Sequence, residues 1–235
     1  MSKIAMVLPT RNRPEKLTRF INSVFSTAED PSNVKFYFYV DSDDVVTMPC
    51  LEKVAQTSLS KFLVHRGPRI MMSQTANMLI PSIEEDIFFL GADDLVFKTQ
   101  GWDTLVIDFF ETHQDKVVLA YGNDLFNSSL ATHPIIHRRW VEAVGYLTPP
   151  YFEADFADTW LTDLAHKIGG RIQLLDFVNE HMHFYARKSE LDSTFAENRQ
   201  RYAEQDPDLV YRCLDPVRAR DAQKLLQVIG RVKNA

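Results

Sequence analysis

The sequence predicts an α/β domain: a mostly parallel central sheet flanked by helices, with a helical appendage at the C-terminus. Three observations predict it. Through the first half, short apolar runs of strand length alternate with stretches of helical period. Polar and charged residues gather directly after the strands. No apolar run approaches the roughly 20 residues that span a bilayer, so no membrane span is expected.

The elements follow in order. Lys3 to Leu8 reads as a buried strand, and Pro14 opens a helix to about Ser26 with Leu17, Phe20, Ile21 and Val24 on one face. Val34 to Val40 is a second strand, rich in aromatic and β-branched residues. Pro49 starts a short helix to Gln56, and Lys61 to His65 is a third strand. Ile70 to Ile80 is a helix that Pro81 stops. Ile87 to Leu90 is a fourth strand, Trp102 to Glu111 an amphipathic helix and Val117 to Tyr121 a fifth strand. Strands interleaved with helices imply parallel pairing with both faces covered. Thr132 to His137 is a further strand and Arg138 to Val144 a helix. Tyr146 to Phe156, with two prolines and several aromatics, is a shaped loop. Asp158 to Ile168 is a helix ended by Gly169-Gly170, and Arg171 to Leu175 returns as a strand. Beyond about Ala186 charges become dense; Asp206-Pro207 and Asp215-Pro216 read as helix starts, and the tail as a packing brace.

Composition bounds the function. The 235 residues are 45% hydrophobic and 25% charged, which excludes disordered, collagen-like and disulfide-scaffold classes. The first apolar run stops at Pro9, Arg11 and Arg13, too soon for a secretory signal. Cys50 and Cys213 lie far apart without metal spacing, so a reduced, cytoplasmic setting is expected. A net charge of −6 argues against coating nucleic acid but leaves room for a local basic groove.

The chemistry lies at the strand ends. Pro9-Thr10-Arg11-Asn12-Arg13 follows the first strand, Asp41-Ser42-Asp43-Asp44 the second, and Gly91-Ala92-Asp93-Asp94 the fourth. Open α/β sheets bind ligands beyond the carboxyl ends of their strands. A basic loop suits phosphate, and paired carboxylates suit a divalent cation. Together they suggest a nucleotide diphosphate held with a metal ion, although either acid cluster alone is more often a plain Asp-rich turn. Arg69, in the Gly67-Pro68-Arg69 turn, stands within reach of the same rim. A Walker A loop and a GxGxxG are both absent.

Ile4 to Arg13, ending Leu-Pro-Thr-Arg-Asn-Arg, resembles the opening of family 2 glycosyltransferases of the GT-A (Rossmann-like) fold. Asp41-Ser42-Asp43-Asp44 is similar to that family's second-strand aspartates, and Phe88 to Asp94 to the segment carrying its DxD metal motif. Asp155 to Trp160, followed by a helix and Gly169-Gly170, resembles the acidic segment supplying the catalytic base. The resemblance covers about residues 3 to 185 and implies a glycosyltransferase domain over 1–186, with a helical extension over 187–235 packed on it. Glu180-His181-Met182-His183 lies where GT-A enzymes often place a histidine metal ligand. His181-x-His183, then Asp192-x-Thr194, is also similar to small bacteriophage-encoded glycosyltransferase-like proteins.

The resemblance implies inverting transfer from a nucleoside-diphosphate sugar, UDP-linked, to a hydroxyl. Asp158 would be the general base, with Glu153 and Asp155 as rivals and an N-cap role as the plainer alternative. Pro9, Thr10, Arg11, Arg13, Asp41, Arg69, Ala92 and Asp93 would hold the donor. Asp93, Asp94, His181 and His183 would hold Mn²⁺ or Mg²⁺; two histidines at i and i+2 diverge if extended, which favours His181. The loop bearing Tyr151, Glu153 and Asp155 would face the acceptor, a saccharide or a hydroxymethylated pyrimidine in DNA. In the second case Arg199, Arg201, Arg212, Arg218 and Arg220 would track phosphates. Two departures stand out: Gly91 occupies the place of the first DxD acid, and Ala157 that of the Glu before the base. They also suit a non-catalytic nucleotide-sugar-binding module. A nucleotidyltransferase would want a glycine-rich loop after the first strand, which Thr10 to Pro14 lacks.

Overall fold

The computed structural model describes residues 2–57, 62–127 and 129–233. Its strands are β1 (Ile4–Thr10), β2 (Val34–Asp41), β3 (Phe62–Gly67), β4 (Ile87–Leu90), β5 (Leu95–Phe97), β6 (Leu119–Asn123), β7 (Ile135–His137) and β8 (Ile172–His181). Its helices are α1 (Pro14–Thr27), α2 (Thr47–Thr57), α3 (Met72–Leu79), α4 (Trp102–Glu111), α5 (Arg138–Val144), α6 (Ala157–Lys167), α7 (Ser193–Gln205), α8 (Pro207–Cys213) and α9 (Asp215–Lys233). No helix among the described residues is long and apolar enough to cross a membrane.

The strands form one sheet in the order β3-β2-β1-β4-β7-β6-β8-β5. The β3-β2-β1-β4 half is parallel, as expected of strands linked by helical crossovers. The other half is mixed. Three-residue β7 runs antiparallel to both β4 and β6, and β5 runs antiparallel to β8, while β6 and β8 are parallel. Four of the seven pairings among the described residues are parallel, as a mostly parallel sheet requires, and the antiparallel ones all involve the three-residue strands β5 and β7.

Strand alternation builds two cores. Ile4, Met6 and Leu8 of β1 join Phe20, Phe36, Phe89 and Trp102 on one face. Ala5 and Val7 join Tyr37, Phe88, Trp140 and Trp160 on the other. Ala222, Leu225 and Ile229 of α9 belong to that second cluster. Tyr146 ties the layers with polar bonds: its hydroxyl donates to Asp221 of α9 at 2.8 Å and accepts the Trp160 indole N–H at 2.8 Å.

Several boundaries differ from the expectations, each for a local reason. α2 begins two residues before Pro49 because the buried Asp44 carboxylate accepts the Val46 and Thr47 N–H groups. α3 is shorter than expected, and Pro81 sits inside a 3₁₀ turn over Ile80–Ser82. β3 runs on to Gly67; Lys61, its expected first residue, lies outside the described residues, as do Met1, Asn234 and Ala235 of the expected domain limits. β8 extends six residues past Leu175. β5 was not anticipated. The tail helices start at Asp206-Pro207 and Asp215-Pro216 as expected, and Asp206 caps α8 by accepting the Leu209 N–H.

Candidate active site

β1, β2 and β4 run parallel and end on one edge, so the three loops named above converge. They line a cleft of about 310 Å³. Pro9, Thr10, Arg11, Arg13, Asp41, Arg69, Ala92, Asp93, Asp94, Asp155, Asp158, His181 and His183 all line it. Tyr151 and Glu153 are not among its lining residues. Tyr151 packs on Trp160 at 5.3 Å between centroids, and Glu153 is tied to Arg201 and to the Gln205 side chain. Of the expected acceptor residues, only Asp155 reaches the cleft, because the loop turns its aromatic side chains toward α6.

Asp93 and Asp94 emerge from β4 into opposite surroundings. The Thr10 hydroxyl donates to Asp93 Oδ2 at 2.9 Å, and Arg13 Nη1 to Asp93 Oδ1 at 3.1 Å. Burial and the neighbouring Asp94 charge nonetheless hold the Asp93 carboxyl above its ordinary range. Burial pushes Asp94 the same way, but His181 outweighs it, with Nε2 at 3.3 Å from Asp94 Oδ1, and keeps this carboxyl low. Gly91 lines the cleft with its backbone, and a Cβ there would come within 3.1 Å of Met6 Sδ and 3.3 Å of Phe20 Cζ, so a side chain at 91 would have to press on these buried neighbours.

The histidines are arranged differently from the expectation. β8 ends at His181, and His183 lies beyond it as the N-cap of a 3₁₀ turn. The i, i+2 divergence of a strand therefore does not apply. The two rings are 4.7 Å apart, and His183 stacks on Phe126. A third imidazole, His133, lies 4.8 Å from His181. Burial, and then the neighbouring His181, push its pKa down, so it is neutral.

The arginines are not free cations. Arg11 pairs with Asp41 at 3.2 Å, with Asp43 at 2.9 Å and with Glu197 of α7 at 3.4 Å; Arg69 also bonds Glu197. Arg13 bridges Asp93 and Asp192, which also takes Lys16. Thr194 donates to the Arg11 carbonyl at 2.9 Å. Arg199 and Arg201 bond Asp155 and Glu153. α7 is thus fastened across the cleft by charge, and Thr194 is its one fully buried residue. Thr194, Phe195, Asn198, Arg199 and Arg201 form a wall of the cleft, where the tail was expected to be a brace. The sequence reading missed this wall and His133. The available signal was Asp192 followed by Ser-Thr, a helix-start pattern of the kind read at Asp206 and Asp215.

Asp158 does not cap α6. The N-cap is Phe156 at φ 64°, after Asp155 at φ 51°, two successive left-handed residues that bend the chain into the helix. Asp158 stands in the first turn, partly open to the cleft, accepting only local bonds, from Thr159. Burial raises its pKa to about 6, against the lowering effect of the Thr159 N–H. Ala157 also lines the cleft, leaving room beside Asp158.

The donor atoms suit a divalent cation in kind. An Asp94 carboxylate touches the His181 imidazole, and His181 Nδ1 and His133 Nε2 are buried with no hydrogen-bond partner. Asp93 fits less well, since Thr10 and Arg13 occupy both its oxygens. Among the described residues, no three His, Cys, Asp or Glu side chains already converge as a cage.

No protein-family model matches the sequence, and no curated protein matches it either. Solved structures do. A mannosyltransferase from Pyrobaculum calidifontis, in complex with GDP-Man and Mn²⁺, superposes with a TM-score of 0.65 at 11% identity, covering 98% of this chain and 74% of that one. TarS from S. aureus, in complex with UDP-GlcNAc, gives 0.58 at 15% identity over 97% of this chain and 72% of that one. GalNAc-T7, with UDP, GalNAc and Mn²⁺, gives 0.63 at 10% identity over 77% and 44%. At such identities the likeness shows a shared fold, the GT-A type of these glycosyltransferases.

Proposed function

On this GT-A-type fold, we propose that the chain transfers a sugar from a nucleoside-diphosphate donor, UDP-linked, to a hydroxyl acceptor with inversion at the anomeric carbon. One observation carries the reading. Asp158, a carboxyl with a pKa of about 6, opens onto the same cleft as the buried Asp93-Asp94 pair and the arginine loop after β1. A general base works best when its pKa lies near the operating pH.

The residues divide the work. The acceptor hydroxyl gives its proton to the Asp158 carboxylate while its oxygen forms the new bond to the anomeric carbon. The bond from that carbon to the diphosphate breaks, and its electron pair leaves with the phosphate oxygen. Asp41, with Pro9 and Thr10 beside it, orients the base and ribose; Arg11, Arg13 and Arg69 meet the diphosphate, with Ala92 giving close access. To do so the arginines exchange carboxylate partners, chiefly Glu197 and Asp192, for phosphate. Asp94 and His181, with His183 adjoining and Asp93 behind, would hold Mn²⁺ or Mg²⁺, which as a Lewis acid would stabilise the leaving diphosphate. Asp93 fixes Arg13 at the cleft and so contributes by charge.

The acceptor we propose is a saccharide. The alternative, a modified pyrimidine in DNA, drew on the basic tail residues, but Arg199 and Arg201 line the cleft itself and Arg218 is buried against Asp163. The binding-module reading draws on Gly91, where a Cβ would crowd Met6 and Phe20, so packing is a second reason for a glycine there. The two free thiols, Cys50 and Cys213, suit the cytoplasmic setting proposed. The test is release of UDP from a panel of UDP-sugars with Mn²⁺, with and without candidate saccharides. Asp158→Asn should lose turnover while still binding UDP; a variant that turns over at the wild-type rate refutes the base assignment.

A further inference from the structure

We propose that Phe126, Tyr185 and Phe195, gathered around His183 at the edge of the cleft, are the stacking surface on which a saccharide acceptor of more than one ring lies; the inference rests on the sugar-transfer reading above.

The expected acceptor loop leaves this task open, since Tyr151 packs on Trp160 and Glu153 pairs with Arg201. Another part of the same cleft gathers aromatic side chains from three separate segments. His183 and Phe195 line the cleft. Phe126 stacks on His183 at 5.1 Å between centroids, and Tyr185 lies 5.4 Å from His183 and 5.5 Å from Phe195. Tyr185 is 61% exposed and Phe126 42%, so the rings support one another and still present open surface. Exposed apolar surface gathered beside a cleft is a contact surface.

Polar bonds hold each segment in place. The Met182 N–H donates to the Asp94 carbonyl at 2.9 Å, and the Tyr185 N–H to His183 Nδ1 at 3.2 Å. Lys188 Nζ joins the Leu125 carbonyl to Glu180, which ties the loop of Phe126 to the turn of Tyr185. Arg199 lies over the Phe195 ring at 5.4 Å and pairs with Asp155, at the bend that leads to Asp158. The rings therefore adjoin both the Asp94 side of the cleft, where the diphosphate would leave, and the side where Asp158 would take the acceptor proton.

That place selects the occupant. An acceptor must bring one hydroxyl to Asp158, and whatever it carries beyond that ring leaves the cleft across these side chains. A pyranose has a face of C–H bonds, which packs on the electron-rich face of an aromatic ring, while its hydroxyls stay around the edge and need polar partners. Asn198 and Arg199, on the same cleft wall, stand where such partners are needed. A lipid tail would want a continuous apolar groove, and here the rings alternate with His183 and Arg199.

The test uses the full chain with UDP and Mn²⁺, probed with cellobiose, lactose, maltose and mannobiose and with the matching methyl monoglycosides. Saturation-transfer NMR reads which sugar protons touch aromatic side chains, and titration gives affinity. Wild type should bind at least one disaccharide through its C–H protons, more tightly than the monoglycoside. Tyr185→Ala and Phe126→Ala should each weaken that binding about tenfold, and Tyr185→Phe should keep it. In the transfer assay both alanine variants should raise acceptor KM with kcat held within about twofold. Leu226→Ala, at an exposed apolar position of α9, is the control and should change neither. If wild type binds UDP and splits a UDP-sugar but no disaccharide contacts its aromatic side chains, or if the alanine variants bind as wild type does, the stacking surface falls and the sugar-transfer reading stands. If light scattering shows a dimer that the alanine variants dissociate, with disaccharide binding unchanged, the rings join two copies of this chain and the inference falls. If no UDP-sugar is bound or turned over, the sugar-transfer reading falls and this inference with it.

Discussion

Asp158 is expected to weaken the fold it serves. Its carboxyl would ionise near 3.8 in the unfolded chain and holds its proton to about 6 in the folded one. Between those values the native state binds the extra proton, so stability falls as pH rises through the window and stays lower above it. At about 1.36 kcal/mol per pH unit, the ionised form costs about 3 kcal/mol at pH 7. Asp158→Asn cannot ionise, and its amide oxygen still accepts the Thr159 N–H. It forgoes a favourable charge in the first helical turn, about 0.3–1 kcal/mol. The variant should therefore be about 2–3 kcal/mol more stable at pH 7, roughly 5–10 °C in melting temperature for a chain this long. The gain should shrink below pH 6 and vanish below pH 4. Denaturant melts of both proteins from pH 4 to 8 measure it. On the proposed role of Asp158 as base, kcat/KM should fall with one proton below pH 6, and the variant should lose about 10²–10⁴-fold. An Asn variant no more stable than wild type at pH 7, or one whose advantage persists at pH 4, would refute the account of Asp158 as a buried, penalised carboxylate.

Other outcomes follow from the same contacts. Glu197→Gln removes the carboxylate that Arg11 and Arg69 share, so UDP should bind about 2–5-fold tighter by calorimetry at low salt, an advantage that fades as salt rises. Asp103 is fully buried and accepts the Glu29 and Asp30 N–H groups and the Asn33 amide, so Asp103→Ala should cost about 3 kcal/mol in urea melts. A Cβ at Gly122 would lie 2.4 Å from both the Asn179 amide oxygen and the Phe177 ring; Gly122→Ala should lower stability by about 1–3 kcal/mol. Arg218 is buried between Trp160 and Tyr211 and bonded to Asp163, and Arg218→Lys should lose the planar stacking and expose the α8–α9 linker to limited proteolysis.

Hydrophobic period and turn chemistry made much of the fold legible. Ile87 to Leu90 and Trp102 to Glu111 keep their expected limits, whereas the strand expected over Lys3 to Leu8 runs from Ile4 to Thr10. Period reports which side chains are buried but not which way a strand runs, so Thr132 to His137 read as a strand without its antiparallel direction. Leu95 to Phe97 is too short to show a period, and β8 escaped at Asp176 because the polar residues beyond Leu175, the exposed Asp176 and the buried Asn179 and His181 among them, break the apolar run. The strand-end residues were readable because strand ends share an edge. His133 and α7 were not, since their place depends on contacts more than 30 residues away: His133 with His181, Asp192 with Arg13, Glu197 with Arg69. A local pattern carries no record of them.

The fastening of α7 to the loop after β1 also sets the order in which the molecule becomes competent. Arg13 and Asp192 are separated by 179 positions, among the longest separations of any hydrogen bond here. A ribosome delivers the whole sheet before it delivers α7 through α9, and at about 5–20 residues per second the last helices arrive seconds later. During that interval the nascent chain carries an open rim whose arginines still lack Asp192 and Glu197, and the surface of α5 and α6 later covered by Leu225 and Ile229 is bare. Chaperone occupancy is therefore expected to concentrate late in synthesis, and silent codon changes that slow translation after residue 186 should lengthen it.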